Sequence, residues 1–471
     1  MGGRSGWPAS ADDLACLRRF RSDGGRGLAE ASGGCTLTAN DRPLKGAWGI
    51  TALIFLFMVI NFADKAVVGL AAKPMMDELK LSPEQFGALG SAFFLLFPVS
   101  AVLTGFVTNR TPARRALLAM AVLWSVVQFP LVGVASFQIL LASRILLGVA
   151  EGPAYPVALH AVYKWFPDSL RGLPTAVMAQ GSSVGVIVAV PLLNWIIVHY
   201  SWHWAFGALG AAGLLWAVLW LALGREGTLT GEVTADETAQ GGPQGGHVPY
   251  RRLLLCPSIV AACCVGFASY WGLALVLTWF TSYLVEGLGF SQTTGGDLSV
   301  LPWLAGMVVV LLGGWISQTL QTSGVSSRIS RGLFPCLTMI LGGCVLPFIA
   351  LASLPALKVG ILVVGTAVGS TIFVVVPMIV SELAPQSQRA AMLAIVNSIM
   401  TLGGVAAPLA MGAVLQSAAT RLEGYDRGFV ILGFLLLAGG LVGLIFIRPE
   451  ADRQALGRQV PVSSSVHPAK A

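Results

Sequence analysis

The chain has 471 residues, of which 55% are hydrophobic and only 11% charged, with a formal net charge of +7 and a mean hydropathy of +0.77. Soluble domains carry about 25% charged residues, so this composition excludes a soluble globular protein and points to a polytopic membrane protein. The positive balance does not point to nucleic acid, because the basic residues sit in short loops and tails between apolar runs, which is the pattern of membrane topology.

In chain order, residues 1–45 come first. They hold Arg18, Arg19, Arg21, Arg26, Arg42 and Lys45 without an apolar core of signal-peptide length, and they read as a disordered cytoplasmic tail. Twelve runs follow that can each span about 30 Å of hydrocarbon as a helix. They are 46–70, 86–107, 115–134, 137–165, 172–198, 204–223, 257–285, 295–317, 332–351, 356–382, 389–415 and 428–447. Residues 224–252 interrupt the series. They are polar and rich in glycine, and they read as a flexible cytoplasmic linker. The expected architecture is an all-α membrane protein with twelve transmembrane helices in two six-helix bundles, 46–223 and 253–447, followed by a cytoplasmic tail, 448–471.

Eleven Lys and Arg residues fall in the even-numbered connections and five in the odd-numbered ones, Lys73, Lys80, Lys358, Arg421 and Arg427. That asymmetry places both termini in the cytoplasm of a multi-pass protein of the plasma membrane, the inner membrane in a bacterium. The halves also echo one another. The second loop begins "GFVTNR" at Gly105 and the eighth "GWISQT" at Gly314. Pro167-x-Ser169-x-Arg171 in the fourth loop matches Pro385-x-Ser387-x-Arg389 in the tenth. A parallel repeat of six spans is expected, with a binding site at the midplane between the halves.

Four ionisable residues lie well inside spans, namely Asp64 and Lys65 in the first and Arg144 and Glu151 in the fourth. Each costs about 2.5–3.5 kcal/mol at a helix centre. Arg144 and Glu151 share one helix face about 10 Å apart along the axis, too far to pair directly. Asp64 and Lys65 are the obvious cross-bundle partners. Buried pairs can merely fix helix register. Four charges in one half, with none well inside the other, favour a functional site. The break "GPAYP" at Gly152, Pro153 and Pro156 is expected to open room beside Glu151.

Polar groups replace charges in the second half. Ser370 and Asn397 lie in spans ten and eleven, and Gln180 in span five stands at a depth comparable to Asn397. Tyr270, Trp271, Trp279 and Trp303 could wall a pocket, and Phe62, Phe97 and Phe373 could approach it. Seven cysteines and five histidines make no metal-ligand spacing. No metal or cofactor is expected, and no nucleophile–base pair or phosphate loop suggests an enzyme.

These residues carry a family resemblance. "GFVTNRTPARR", Gly105 to Arg115, resembles the second-loop signature of the major facilitator superfamily, roughly G-x-x-x-D-R-x-G-x-R-R, with Asn109 in place of the aspartate and Pro112 in place of a glycine. "NFADK", Asn61 to Lys65, resembles the first-span N-[YF]-x-D-R of its anion:cation symporter family. "RILLGVAEGPAYP" with "WFPDSLRG" is similar to that family's fourth-span signature. The resemblance covers roughly residues 46–447. It implies a monomeric, proton-coupled importer of organic anions, such as hexuronates, aldonates or aromatic acids, that works by alternating access on the proton gradient.

By the matching motifs, Asp64 and Glu151 take the proton-coupling places, Lys65 the substrate-anion place, Arg144 the fourth-span arginine and Asn397 a polar substrate contact. Gly105, Asn109, Arg110, Arg114 and Arg115 take the gating loop. Lys65 replaces an arginine, so a point charge stands where a bidentate fork is expected. A drug:proton antiporter is the nearest rival, but its span-five cue G-x-x-x-G-P-x-x-G-G is absent, since Gly185 is followed by "VIVAVP". A transport-derived sensor would need an output domain, and the linker and tails offer none. The aromatic residues favour an aromatic or sparsely hydroxylated acid over a sugar acid.

Overall fold

The computed structural model describes residues 43–108, 111–133, 136–167, 170–229 and 248–458, and these are almost wholly helical. Among them, twelve helices are long and apolar enough to cross a membrane. They are α1 (Ala47–Leu70), α2 (Pro83–Thr104), α3 (Ala113–Gly133), α4 (Phe137–Tyr163), α5 (Gly172–His199), α6 (Trp202–Leu223), α7 (Pro257–Thr278), α8 (Gln292–Ser317), α9 (Arg328–Ala350), α10 (Pro355–Leu383), α11 (Ala391–Ser417) and α12 (Arg421–Phe446). All twelve fall on the apolar runs of the sequence. The largest displacements, seven residues each, are at α7, which ends at Thr278 rather than 285, and at α12, which starts at Arg421 rather than 428. Thr420 caps it by accepting from the Glu423 N–H at 3.2 Å, and its first two turns carry Arg421, Glu423, Asp426 and Arg427. Charges in the first turns of a capped helix hide it from a hydropathy reading.

Local chemistry sets other starts. Ser82 opens α2 with a capping box, accepting from the Gln85 N–H at 3.2 Å while its own N–H donates to the Gln85 side chain at 2.9 Å. Ser136 caps α4 by accepting from the Ile139 N–H at 3.3 Å.

Helix pairing obeys the expected repeat. Helix α1 packs on α5 as α7 packs on α11, α3 on α6 as α9 on α12, and α2 on α4 as α8 on α10. The halves meet through α2 on α11 and, equivalently, α5 on α8. These contacts are tightest at the end away from residues 43–46. There Gly69 lies against the carbonyl of Leu277, Gly87 against that of Pro408, and Gly412 against that of Pro83, with no room for a Cβ. Phe86 meets Trp279 edge to face at 4.9 Å. Gln292 donates to the Leu70 carbonyl at 2.9 Å, Asn194 to the Thr293 carbonyl at 3.0 Å, and the Leu409 N–H to Ser91 Oγ at 3.2 Å.

Gly296 completes this closure, because a Cβ there would overlap the buried Asn194 amide. Overpacking of this kind costs about 1–3 kcal/mol. Gly296→Leu is therefore expected to raise the population with this end parted by roughly one to two orders of magnitude. The measurement is the labelling rate of a cysteine placed at buried Ser91 with an impermeant maleimide; an unchanged rate would show that the contact does not hold the end shut.

The opposite end is stapled within each half. Glu226 accepts from the N–H groups of Ala113 and Arg114 at 3.1 and 2.8 Å, and from Lys164 at 2.5 Å. It thus caps α3 and ties it to the end of α4. In the second half, Glu450 accepts from the Ser327 N–H at 2.5 Å, while Glu382 takes the Ser327 hydroxyl at 2.6 Å and Arg331 at 2.7 Å. The first residues of the expected linker are thus docked, and Val248 at its far end exchanges hydrogen bonds with Gln388. Residues Pro449–Arg458, expected to be a tail, form a helix. Residues 1–42 and 230–247, expected to be tail and linker, lie outside the described residues.

Burial raises the proton affinity of Glu226, but Lys164 and the two N–H groups outweigh it and hold the carboxyl below its ordinary value. Stability from this group is present above the unfolded carboxylate pKa, about 4.3, and is lost as pH falls through the lower folded value. Glu226→Gln is expected to lower the melting temperature at neutral pH, by a cap's worth of about 0.5–2 kcal/mol. The gap from the parent should close in acid; a gap that persists there would contradict the assignment.

Candidate functional site

Adjacent residues on a helix point about 100° apart, and this separates the two charges of α1. Lys65 faces α4 and donates to Glu151 Oε2 at 2.5 Å. It also reaches back one turn to Asn61, donating to the side-chain oxygen at 2.5 Å and the carbonyl at 3.2 Å. Asp64 faces α3 instead. Gln128 Nε2 donates to Asp64 Oδ1 at 3.1 Å and, at 3.4 Å, to the Trp124 carbonyl. Of the two pairings open to Glu151 and Arg144, the Lys65–Glu151 pair forms and an Asp64–Arg144 pair does not.

All four charged side chains are buried, at 0% exposure for Asp64, 1% for Glu151, 3% for Arg144 and 8% for Lys65. Three aromatic rings surround the Lys65 ammonium, with Phe62 at 4.7 Å, Phe93 at 5.5 Å and Phe97 at 5.9 Å. Arg144 lies 5.2 Å from the Phe93 ring centre and has no hydrogen-bond partner among the described residues. Cation–π contact contributes about 2 kcal/mol when desolvated, well short of what burying a guanidinium costs. Asp64 Oδ2, Glu151 Oε1, Gln128 Oε1 and Arg144 Nε are each buried without a partner among the described residues. Incomplete satisfaction of buried polar groups is thus concentrated in this one spot.

The break in α4 falls at Gly152–Pro153, as expected from "GPAYP", but it does not open room there. Gly148 and Gly152 lie against the carbonyls of Phe93 and Phe97, and a Cβ at either would collide. The small residues let α2 approach, which brings Phe93 and Phe97 over the cations.

The second half presents the polar face. Tyr270 donates to Asn397 Oδ1 at 3.0 Å and packs edge to face on Phe373 at 5.1 Å. Phe62 reaches across the halves to Trp303 at 6.2 Å. Ser370 sits in the short 3-10 turn Val368–Thr371 that interrupts α10, beside Gly306 of α8. Gln180 is half-buried on α5 and has no hydrogen-bond partner among the described residues.

Among the loop residues, Gly105 lies in the helical stretch Phe97–Thr108 that carries α2 onward. Arg114 donates to the Leu221 carbonyl at 3.0 Å, which staples α3 to α6, and Arg115 is exposed. Asn109 and Arg110 lie outside the described residues.

Three features escaped the sequence. Gln128 is a lone amide near the end of an apolar run, which carries no signal by itself. Asn61 is visible only as the first letter of "NFADK". The third is a buried charge pair in the second half, near helix ends rather than well inside the spans. Lys358 pairs with Asp426, and Tyr283 donates to Asp426 Oδ1 at 3.0 Å. Both charged residues stand near helix ends, where counting assigns them to loops. No metal-binding group of three or more His, Cys, Asp or Glu exists among the described residues.

A sequence model of the Major Facilitator Superfamily matches residues 54–408. The chain is 26% identical over 416 residues to the hexuronate transporter of Bacillus subtilis (strain 168), an alignment covering 86% of this chain and 96% of that one. It is 25% identical over 411 residues to the D-galactonate transporter of Escherichia coli O6:H1, covering 84% and 94%. In three dimensions it resembles a bacterial homolog of the human lysosomal transporter Spinster, with a TM-score of 0.71 at 16% identity over 88% of this chain and 99% of that one. The chain therefore belongs to the major facilitator superfamily, and it is a multi-pass membrane transporter.

Proposed function

We propose that the protein imports an organic carboxylate together with protons, using Arg144 and Lys65 to hold the anion and Glu151 and Asp64 to carry the protons. The observation that carries this reading is Arg144, a buried guanidinium with no hydrogen-bond partner among the described residues. A cation so placed needs an anion, and a substrate carboxylate supplies one. A cationic substrate is disfavoured for the same reason.

The charge balance gives the cycle its logic. With Glu151 ionised, Lys65 is neutralised by it at 2.5 Å. A proton on Glu151 releases Lys65, leaving two cations to face the substrate. A proton on Asp64 removes the remaining negative charge behind them. Loaded with one carboxylate and one proton the four-charge site is neutral, as it is when empty and fully ionised, so the halves can rock about it without a bare charge crossing hydrocarbon; a second proton balances a second carboxylate. Gln128 suits either state of Asp64, because an amide offers both a donor and an acceptor.

The similar transporters are named for hexuronate and D-galactonate, which share a carboxylate. Phe62, Phe97, Phe373 and Trp303 would face the remainder of such a molecule. Each hydroxyl left unpaired there costs about 1–3 kcal/mol, and Tyr270 with Asn397 can pair only one or two. The walls favour an aromatic or sparsely hydroxylated acid. With the termini in the cytoplasm, the sealed end is the outer one.

The test is uptake into proteoliposomes with acid outside, across a panel from benzoate-type acids to sugar acids. Accumulation above equilibrium that a protonophore collapses supports the reading. Uptake indifferent to the pH gradient, or expulsion of cationic dyes in place of carboxylate uptake, would overturn it.

A further inference from the structure

A cavity of about 510 Å³ lies at the end of the molecule that carries residues 43–46, between the short helix Tyr250–Leu254, the start of α7 and the helix Pro449–Arg458. Its walls combine two chemistries. Arg251 and Arg252 supply guanidinium groups, both exposed and without a hydrogen-bond or ion-pair partner among the described residues. Leu255, Pro257 and Leu456 supply apolar surface. One carboxylate, Asp452, also lines the cavity, but it accepts from the Ser258 N–H at 3.0 Å at the start of α7. Burial and Asp452 push the neighbouring Cys256 thiol up to about 12, so no thiolate cancels the arginines.

The position joins these two chemistries. Pro257 begins a membrane-spanning helix and α12 has ended at Phe446, so the cavity stands where hydrocarbon gives way to water. Leu255, 64% exposed between the arginines and α7, presents bare apolar surface at that level. A soluble anion would use the guanidiniums and leave Leu255 idle. An amphiphile with a phosphate head and an acyl chain uses both.

We propose that this cavity is a binding site for an anionic phospholipid, with the phosphate on Arg251 and Arg252 and the acyl chain along Leu255 and the start of α7. The site lies apart from the transport residues. An arginine near an anionic membrane surface contributes about 1 kcal/mol, so losing two is expected to weaken binding roughly thirtyfold.

The experiment is native mass spectrometry of the full-length purified protein titrated with phosphatidylglycerol or phosphatidylcholine. The expected result is preferential retention of phosphatidylglycerol, a loss of about thirtyfold in the Arg251→Gln, Arg252→Gln double variant, and retention by the Arg251→Lys, Arg252→Lys variant. Inorganic phosphate at matched concentration should not displace the lipid. Equal retention of the two lipids by the parent protein would overturn the proposal, as would an undiminished preference in the Gln variant. Displacement by inorganic phosphate would do so as well, since it would make this a free-phosphate site. Melting without lipid checks folding of the Gln variant; the lipid comparison and the phosphate competition on the parent decide the matter even if that variant fails.

Discussion

Lys65→Ala is expected to abolish the thermal stabilisation that a carboxylate substrate gives the purified protein. Removing one partner of a buried, hydrogen-bonded charge pair costs about 2–5 kcal/mol of affinity, or roughly 30- to 5,000-fold in Kd. The same substitution strands Glu151, which is buried and has Lys65 as its cationic contact at 2.5 Å. An uncompensated buried charge costs about 3–5 kcal/mol, so the substrate-free variant should also melt earlier.

The two effects separate in the double variant Lys65→Ala, Glu151→Gln. It removes the stranded charge and should recover most of the melting temperature while binding stays lost. A double variant that binds carboxylate like the parent would show that Lys65 serves packing alone.

Glu151→Gln should have a different signature. Glutamine keeps the shape and leaves Lys65 its two contacts to Asn61, so folding and carboxylate binding should survive. The group whose protonation releases Lys65 to the substrate is gone, while Asp64 remains. The parent is expected to concentrate substrate about tenfold per unit of pH gradient for each coupled proton. The variant should fall to an equilibrium ratio near one and still exchange labelled substrate for unlabelled across the membrane. Exchange separates uncoupling from inactivation. Accumulation at the parental level would remove Glu151 from the coupling role.

The number and places of the spans were legible in the sequence because hydropathy over twenty residues is a strong signal. It failed where helices begin in water, as at the capped and charged start of α12. The four intramembrane charges were legible for the converse reason, that Arg144, Glu151 and the Asp64–Lys65 doublet each interrupt apolar sequence. Their pairing was not. Asp64 and Lys65 are neighbours in sequence, and the 100° step of the helix turns one to Gln128 and the other to Glu151.

The buried Lys358–Asp426 pair was missed because each residue sits close to the end of its span, and distance along a chain does not reveal depth inside a bundle. Glycine was ambiguous too. At Gly148 and Gly152 it serves close approach of α2 rather than open space, a distinction that depends on the neighbouring helix.

The central claim is that the buried charges carry protons together with a carboxylate. It is tested most directly by trapping a pH-sensitive dye inside proteoliposomes and adding substrate outside, with no gradient imposed. Under the account, substrate entry acidifies the lumen with the parent protein and does not with Glu151→Gln. Substrate entry without acidification, or equal acidification with both proteins, would contradict it.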